Sequence, residues 1–267
     1  MQERLGLIKI KPERVLDAAC GEGSDLLVLQ QAYPESQLFG VDAASAMLGV
    51  ARQATADSRS AMQTFFAKLL RGHRLHAPAA QLACADFASL PLPSGSMDLL
   101  WSNLALHWHP QPHAVIAEWA RVLRSDGLLM FSCFGPDTFV ELRDLFQTLQ
   151  MPARVLPFVD LHDYGDMLQA AGMATPVMDM EKITLTYADA GSLLADVRAF
   201  GGNPLCDRPR GLQGRQQWRQ MLSRLEQRRD GDGRITLTVE VLYGHAFRPV
   251  PRRNSRGEAI VRFAPKP

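Results

Sequence analysis

Short apolar runs alternate with helical patterns through the first half of the chain, and the first four runs stop on an acid or an amide. Arg14–Asp17 is a strand ending in Asp, followed by a helical pattern over Ser24–Tyr33. Gln37–Asp42 ends in Asp again, before a helix over Ser45–Asp57. Leu82–Ala85 leads directly into Asp86, and Met97–Asn103 ends in Asn. Pro112–Arg124 places Val115, Ile116, Trp119, Val122 and Leu123 on one helical face. After a turn at Ser125-Asp126-Gly127, the run Leu128–Phe134 is nearly all apolar. Strands that are apolar on both faces belong to a parallel sheet covered on both sides. Alternation with helices predicts a doubly wound, Rossmann-like α/β fold.

Two stretches interrupt the alternation. Thr55–Ala80 carries Lys68, Arg71, His73, Arg74 and His76 and reads as a partly helical surface excursion. Beyond Pro136, helices over Asp137–Gln150 and His162–Ala171 precede a strand-like run at Pro176–Tyr187. Helical patterns over Asp189–Gly201 and Arg215–Arg229 come before a last strand, Ile235–Tyr243, which follows the turn Asp230-Gly231-Asp232-Gly233. The economical arrangement is one sheet whose last two strands are separated by a helical insert at 188–233, placed as a lid over the sheet's C-terminal edge.

The 267 residues suffice for such a domain. A formal net charge of +1 argues against binding nucleic acid through bulk charge. No apolar run approaches the ~20 residues of a membrane helix, and Met1–Lys11 has no secretory pattern. Cys20, Cys84, Cys133 and Cys206 are widely spaced and form no CxxC, which fits a reducing cytoplasm and no structural zinc.

Candidate ligand-binding residues collect where strands give way to helices. In Asp17-Ala18-Ala19-Cys20-Gly21-Glu22-Gly23-Ser24 the glycines admit close backbone approach, and the following helix offers free N–H donors. Taken alone, a Gly-x-Gly pair is equally consistent with a tight turn that binds nothing. Asp42 is placed to accept from two ribose hydroxyls, Asp86 from an adenine amino group with Phe87 beside it to stack, and Asn103 to hold an amino-acid head group. A dinucleotide site wants Gly-x-Gly-x-x-Gly. Ala19, Gly21 and Gly23 do not supply that spacing, which favours S-adenosylmethionine (SAM) over a nicotinamide cofactor.

With these residues the chain resembles the class I SAM-dependent methyltransferases. Within them it is most similar to the malonyl-acyl-carrier-protein O-methyltransferases of biotin synthesis, the BioC family. The resemblance runs from Ile10 to about Pro249. It rests on the runs Trp101–Trp108, Glu118–Gly127, Phe134–Arg143, Gly165–Leu168 before Ala171–Met173, and Thr238–Ala246. It implies a seven-stranded sheet with SAM as donor, S-adenosylhomocysteine as product and a malonyl-loaded acyl-carrier protein as partner. It implies a SAM-binding core over 1–187, a substrate lid over 188–233, a last core strand over 234–249 and a tail over 250–267. It implies that Asp17, Gly21 and Gly23 line SAM, that Asp42 holds the ribose and that Asp86 and Phe87 hold the adenine. Asn103 then lies at the methionine end, and Ala19, Ala43, Met47 and Leu104 complete the lining. Two departures stand out. Ala19 replaces the first glycine of the family's loop, where a methyl would crowd the ligand, and the upstream helical segment that the resemblance implies is expected to be missing before Ile10.

A malonyl carboxylate is ionised at neutral pH, so its methylation needs alignment and a dry site rather than a general base. A cation must orient it, and the planar forks of Arg143 and Arg198 are candidates, each also readable as a solvated helix charge. His107, His109 and His113 lack an acidic or cysteine partner at ligand spacing, so no metal is expected. His107 and Trp108 read instead as part of the wall of the site. Residues Cys206–Arg234 hold eight arginines against four acids. Trp218, Met221, Leu222 and Leu225 give the helix there an inward face, leaving a basic outer face able to steer an acidic carrier protein. The same motifs also resemble the mitochondrial complex I assembly factor that hydroxylates an arginine, whose C-terminal end is similar to Arg256–Phe263. A SAM-binding protein without catalysis is the third reading.

Overall fold

The computed structural model describes residues 1–6, 8–56, 79–151, 155–200 and 214–250. A short helix α1 (Gln2–Leu5) precedes β1 (Arg14–Ala18), α2 (Ser24–Ala32), β2 (Gln37–Asp42) and α3 (45–56). After these come β3 (Gln81–Cys84), β4 (Met97–Ser102), α4 (Pro112–Val122), β5 (Leu123–Phe134), α5 (Val140–Thr148) and α6 (Leu161–Ala170). The chain continues through β6 (Ala174–Tyr187), α7 (Ala190–Ala199), α8 (Arg215–Glu226) and β7 (Ile235–Phe247). The excursion at 57–78, Cys206 with Arg208 and Arg210, and the tail beyond Val250 lie outside the described residues.

All seven strands join one sheet, in the order β3-β2-β1-β4-β5-β7-β6. β1 pairs in parallel with both β2 and β4, and β2–β3 and β4–β5 are parallel too. β7 runs against β5. Asp126 and Gly127 exchange hydrogen bonds with Arg248 at one end, while Gly135 donates to the Glu240 carbonyl at the other. Chain order turns outward in both directions from β1 and β4. In open α/β sheets the crevice beyond the C-terminal ends at such a switch point is where ligands bind.

The strand signal was apolar continuity, and burial follows it: every residue of β4 is buried, as is Leu128–Phe134 of β5. Alternate residues feed opposite faces. Leu99, Trp101, Leu128 and Met130 pack with Leu26 and Leu29 of α2 and Leu48 of α3. On α4, Val115, Ile116, Trp119 and Val122 are fully buried, and the Trp119 ring lies 6.2 Å from Phe131. Asp98 fixes the entry to β1, accepting from the backbone N–H of Glu13 at 2.6 Å and Arg14 at 2.7 Å and pairing with Arg124.

β5 begins at Leu123, earlier than expected. The residues that read as a turn form a bulge, with Asp126 at φ +65° and a register shift against β4 between Met97 and Leu99. β7 extends to Phe247, beyond the expected end at Tyr243. The element order after β5 is as expected, with two helices between β6 and β7.

Two compact units share the chain. One comprises Met1–Ser132, Tyr164–Met178 and Tyr243–Pro267, the other Cys133–Asp163 and Asp179–Leu242. In the second, Phe200 lies 5.7 Å from Phe134 and 5.3 Å from Phe139, ring to ring. Asp189 caps α7 by accepting from the Ser192 N–H at 2.8 Å, and Glu226 of α8 accepts from the Ala190 N–H at 2.7 Å. Each carboxylate satisfies an otherwise unpaired donor of the first turn of α7.

Candidate active site

The loop from β1 to α2 is a succession of left-handed residues: Ala19 at φ +68°, Gly21 at +52° and Gly23 at +87°. Gly23 must be glycine for a second reason, because a Cβ there would lie 2.9 Å from that of Ala51 on α3. Gly21 is different, since a Cβ there would meet nothing within 4 Å, so its exposed face is open to a ligand. Ala19 occupies a conformation that costs an L-residue roughly 1–2 kcal/mol. Its N–H donates to the Val41 carbonyl at 2.8 Å, which ties the loop to the end of β2.

Asp42 holds the loop from the other side. Its Oδ2 accepts from the Gly21 N–H at 2.9 Å and its Oδ1 from the Ala44 N–H at 2.8 Å. Each carboxylate oxygen retains acceptor capacity for a hydroxyl. Ala43 and Met47 follow it, both exposed, Met47 at 48%. The Ala85 N–H donates to the Asp42 carbonyl, so the end of β3 is tethered beside that of β2. There Asp86 is exposed and accepts from the Ala88 N–H at 2.8 Å. The Phe87 carbonyl takes the Trp119 indole N–H at 3.1 Å, and the Phe87 ring lies 5.9 Å from His109.

At the end of β4, Ser102 donates to the Ala18 carbonyl at 2.9 Å, and Asn103 Oδ1 accepts from the Ser132 hydroxyl at 2.5 Å. Leu104 follows at φ +52°, its N–H donating to Ser132 and its side chain 38% exposed. Burial pushes the His107 imidazole down to about 4, which keeps it neutral at pH 7, with its ring 4.9 Å from Trp108.

The most buried carboxylate of this edge is Asp17, 1% exposed in β1 between Gly40 and Trp101. Burial first, then the Asp25 and Asp42 carboxylates, hold its carboxyl well above the usual range. Burial, then the Asp17 and Asp42 carboxylates, push the Cys20 thiol up to about 12. Sequence reasoning passed over Asp25. It lies in the first turn of α2 and accepts from the Trp101 indole N–H at 3.1 Å. An acid one turn beyond a glycine loop was a readable signal, because the helix N-terminus favours it.

Arg143 and Arg198 belong to the second unit. The Arg143 Nη2 donates to the carbonyls of Pro136 and, at 3.1 Å, Thr138. Arg198 is exposed, its guanidinium 5.9 Å from the centre of the Trp218 ring. On α8, Met221 and Leu225 are buried and Trp218 and Leu222 half-buried, as the pattern predicts. The basic face is thinner than its arginine count. Arg228 donates to the Glu141 carbonyl, Arg229 to those of Ala188 and Gly233, and Arg234 to that of Thr186. Among the described residues, Arg215, Arg219 and Arg224 are left exposed without such a partner. At 100° per residue, Arg215 and Arg219 flank one side of the outer face and Arg224 the other.

A mixed sheet, parallel from β3 to β5 and with its switch point at β1 and β4, a glycine turn and polar groups at four successive strand ends define a class I methyltransferase that takes its methyl group from SAM. Comparison with known proteins agrees. A methyltransferase-domain family matches residues 16–131. A putative methyltransferase from Bacillus halodurans shares the fold with a TM-score of 0.61 at 16% identity, over 93% of this chain and 99% of that one. A malonyl-[acyl-carrier protein] O-methyltransferase of Laribacter hongkongensis is 45% identical across 99% of this chain and 86% of its own. That of Gallionella capsiferriformans is 44% identical across 98% and 86%. The chain belongs to the malonyl-[acyl-carrier protein] O-methyltransferase family.

Proposed function

We propose that this enzyme methylates the free carboxylate of a malonyl group carried on acyl-carrier protein, in the cytoplasm, releasing S-adenosylhomocysteine. The observation that carries this substrate is the extent of the similarity, which runs through α7 and α8 as well as the cofactor half.

SAM presents a methyl on a sulfonium, and the acceptor carboxylate is already an anion. The residues therefore have to bind, align and exclude water. We assign Asp17, Ala19, Gly21, Gly23, Asp42, Ala43, Met47, Asp86, Phe87, Asn103 and Leu104 to SAM. All eleven belong to one compact unit and cluster at the ends of β1 to β4 and the start of α3. The insert at 188–233 is assigned to the substrate, together with Arg143. Two backbone carbonyls hold the Arg143 fork in place, and a fork fixed beforehand loses less freedom when a carboxylate arrives. Arg198 is the second candidate for the carboxylate. Arg215 and Arg219 are assigned to steering the acidic carrier, with Arg224 on the opposite flank.

The test is to incubate the protein with SAM and malonyl-loaded carrier and to weigh the carrier by intact mass. A methyl ester is expected. A carrier that stays unmodified while SAM binds would overturn the substrate assignment.

A further inference from the structure

Three carboxylates meet where β1 passes into α2, and they are unequally provided for. Asp42 accepts from two backbone N–H groups. Asp25 accepts from the Trp101 indole and lies in the first turn of a nine-residue helix, where the macrodipole favours an anion. Both have hydrogen-bond donors of their own. Asp17 differs: its Oδ2 is buried with no hydrogen-bond partner among the described residues. The charged groups that bear on it are Asp25 from α2 and Asp42 from the end of β2, both of its own sign. Cys20 in the loop stays a neutral thiol, and β4 places Trp101 alongside. A buried carboxylate beside two anions is stable either neutralised by a proton or paired with a cation. Four residues on in the same loop, a Cβ at Gly21 would meet nothing within 4 Å.

We propose that Asp17 carries a proton in the cofactor-free protein and gives it up when the ammonium of the SAM methionyl group arrives, so that cofactor binding expels one proton. The inference rests on the SAM reading of this edge. The exchange balances. The neutral carboxylic acid releases a proton to solvent, the carboxylate pairs with the incoming ammonium, and no bond to carbon changes. The raised carboxyl of Asp17 agrees with it.

Calorimetry in buffers of different ionisation enthalpy reads the proton directly. Up to one proton should be released per SAM bound at pH values below the point where cofactor-free Asp17 ionises, and over that range SAM affinity should rise up to tenfold per pH unit. S-adenosylhomocysteine keeps the ammonium and should release the same proton. 5′-Methylthioadenosine, which lacks the amino-acid portion, should release none. In Asp17→Asn the release and the pH slope should both vanish.

Stability supplies a second readout. The folded protein binds the Asp17 proton more tightly than the unfolded chain. Its stabilising contribution is therefore complete below the unfolded pKa and lost as pH rises toward the folded one. Asp17→Asn should consequently melt above the parent near pH 8, with the gap closing as pH falls to about 4. SAM binding with no proton release, or equal release in Asp17→Asn, overturns the inference and leaves the cofactor reading standing. No SAM binding at any pH overturns both.

Discussion

The strand ends of the cofactor unit and the arginine-bearing helices of the insert are both rich in charge, yet they hold it differently. At the strand ends the charges are short acids whose positions follow from the backbone: each sits at a β-to-α transition, and Asp42 and Asp86 accept from N–H groups two residues on in their own loops, Asp42 also from Gly21 of the loop after β1. In the insert the charges are long arginines. Arg228 and Arg229, with Arg234 just beyond, reach back to carbonyls of their own unit while their neighbours on α8 do not, so that sequence position says little about which are available. Short polar side chains report topology, whereas long ones report packing.

The comparison breaks most decisively at Arg143, which we treat as a long side chain made rigid. Arg143→Ala should lower malonyl-carrier turnover by about 2–4 kcal/mol in transition-state free energy, as when one member of a buried charge pair is removed. SAM affinity by calorimetry should stay the same. Arg143→Lys keeps the charge without the fork and should recover only part of the loss. If turnover survives in Arg143→Ala but falls in Arg198→Ala, the carboxylate belongs to α7.

Next comes Asp42→Ala, with a loss of SAM affinity of about 1.5–3 kcal/mol for hydrogen bonds to a charged acceptor. The Gly21 and Ala44 N–H groups lose their acceptor in the same change, so proteolytic nicking near the loop should accelerate. Affinity unchanged by calorimetry would remove Asp42 from the site.

Ala19→Gly should raise thermal stability by about 1 kcal/mol or less, because relief of the left-handed alanine is partly offset by a more flexible unfolded chain. SAM should bind at least as tightly. Weaker binding would show that the Ala19 methyl packs against the ligand instead of crowding it.

The smallest effect is expected on α8. Replacing Arg215, Arg219 and Arg224 together should slow association with the carrier a few-fold at low salt and disappear at high salt. A malonyl thioester without the carrier should be indifferent. Equal losses on both substrates would make these arginines structural.

What was legible follows the same division. Strands β1 to β5 could be read because a doubly covered sheet demands unbroken apolar runs, and the four strand ends could be read because acids and amides interrupted them. The start of β5 could not: Ser125-Asp126-Gly127 has turn chemistry, and it stays in the sheet through the pairing of Leu123 and Leu128 with β4 on either side and the bonds of Asp126 and Gly127 to Arg248. Glu240 also escaped notice. It is 3% exposed in β7 and accepts from the Asp137 N–H at 2.8 Å, but lies 103 residues away in sequence. The basic face could be counted from the sequence but not sorted, since nothing local distinguishes Arg228 from Arg224.

β7 also bears on how the chain reaches this state. The bond from Arg248, the residue after it, to the Arg121 carbonyl spans 127 residues, and that from Thr138 to Glu240 of β7 spans 102. Loop closure over such distances is costly before contacts reward it, and folding rates fall as contacts become less local. On a ribosome, β1 to β5 emerge well before the strand that borders β5. Until β7 arrives, the apolar run Leu128–Phe134 offers an unpaired edge to any neighbouring chain. Refolding should therefore be slowest and most concentration-sensitive at the step that seats β7.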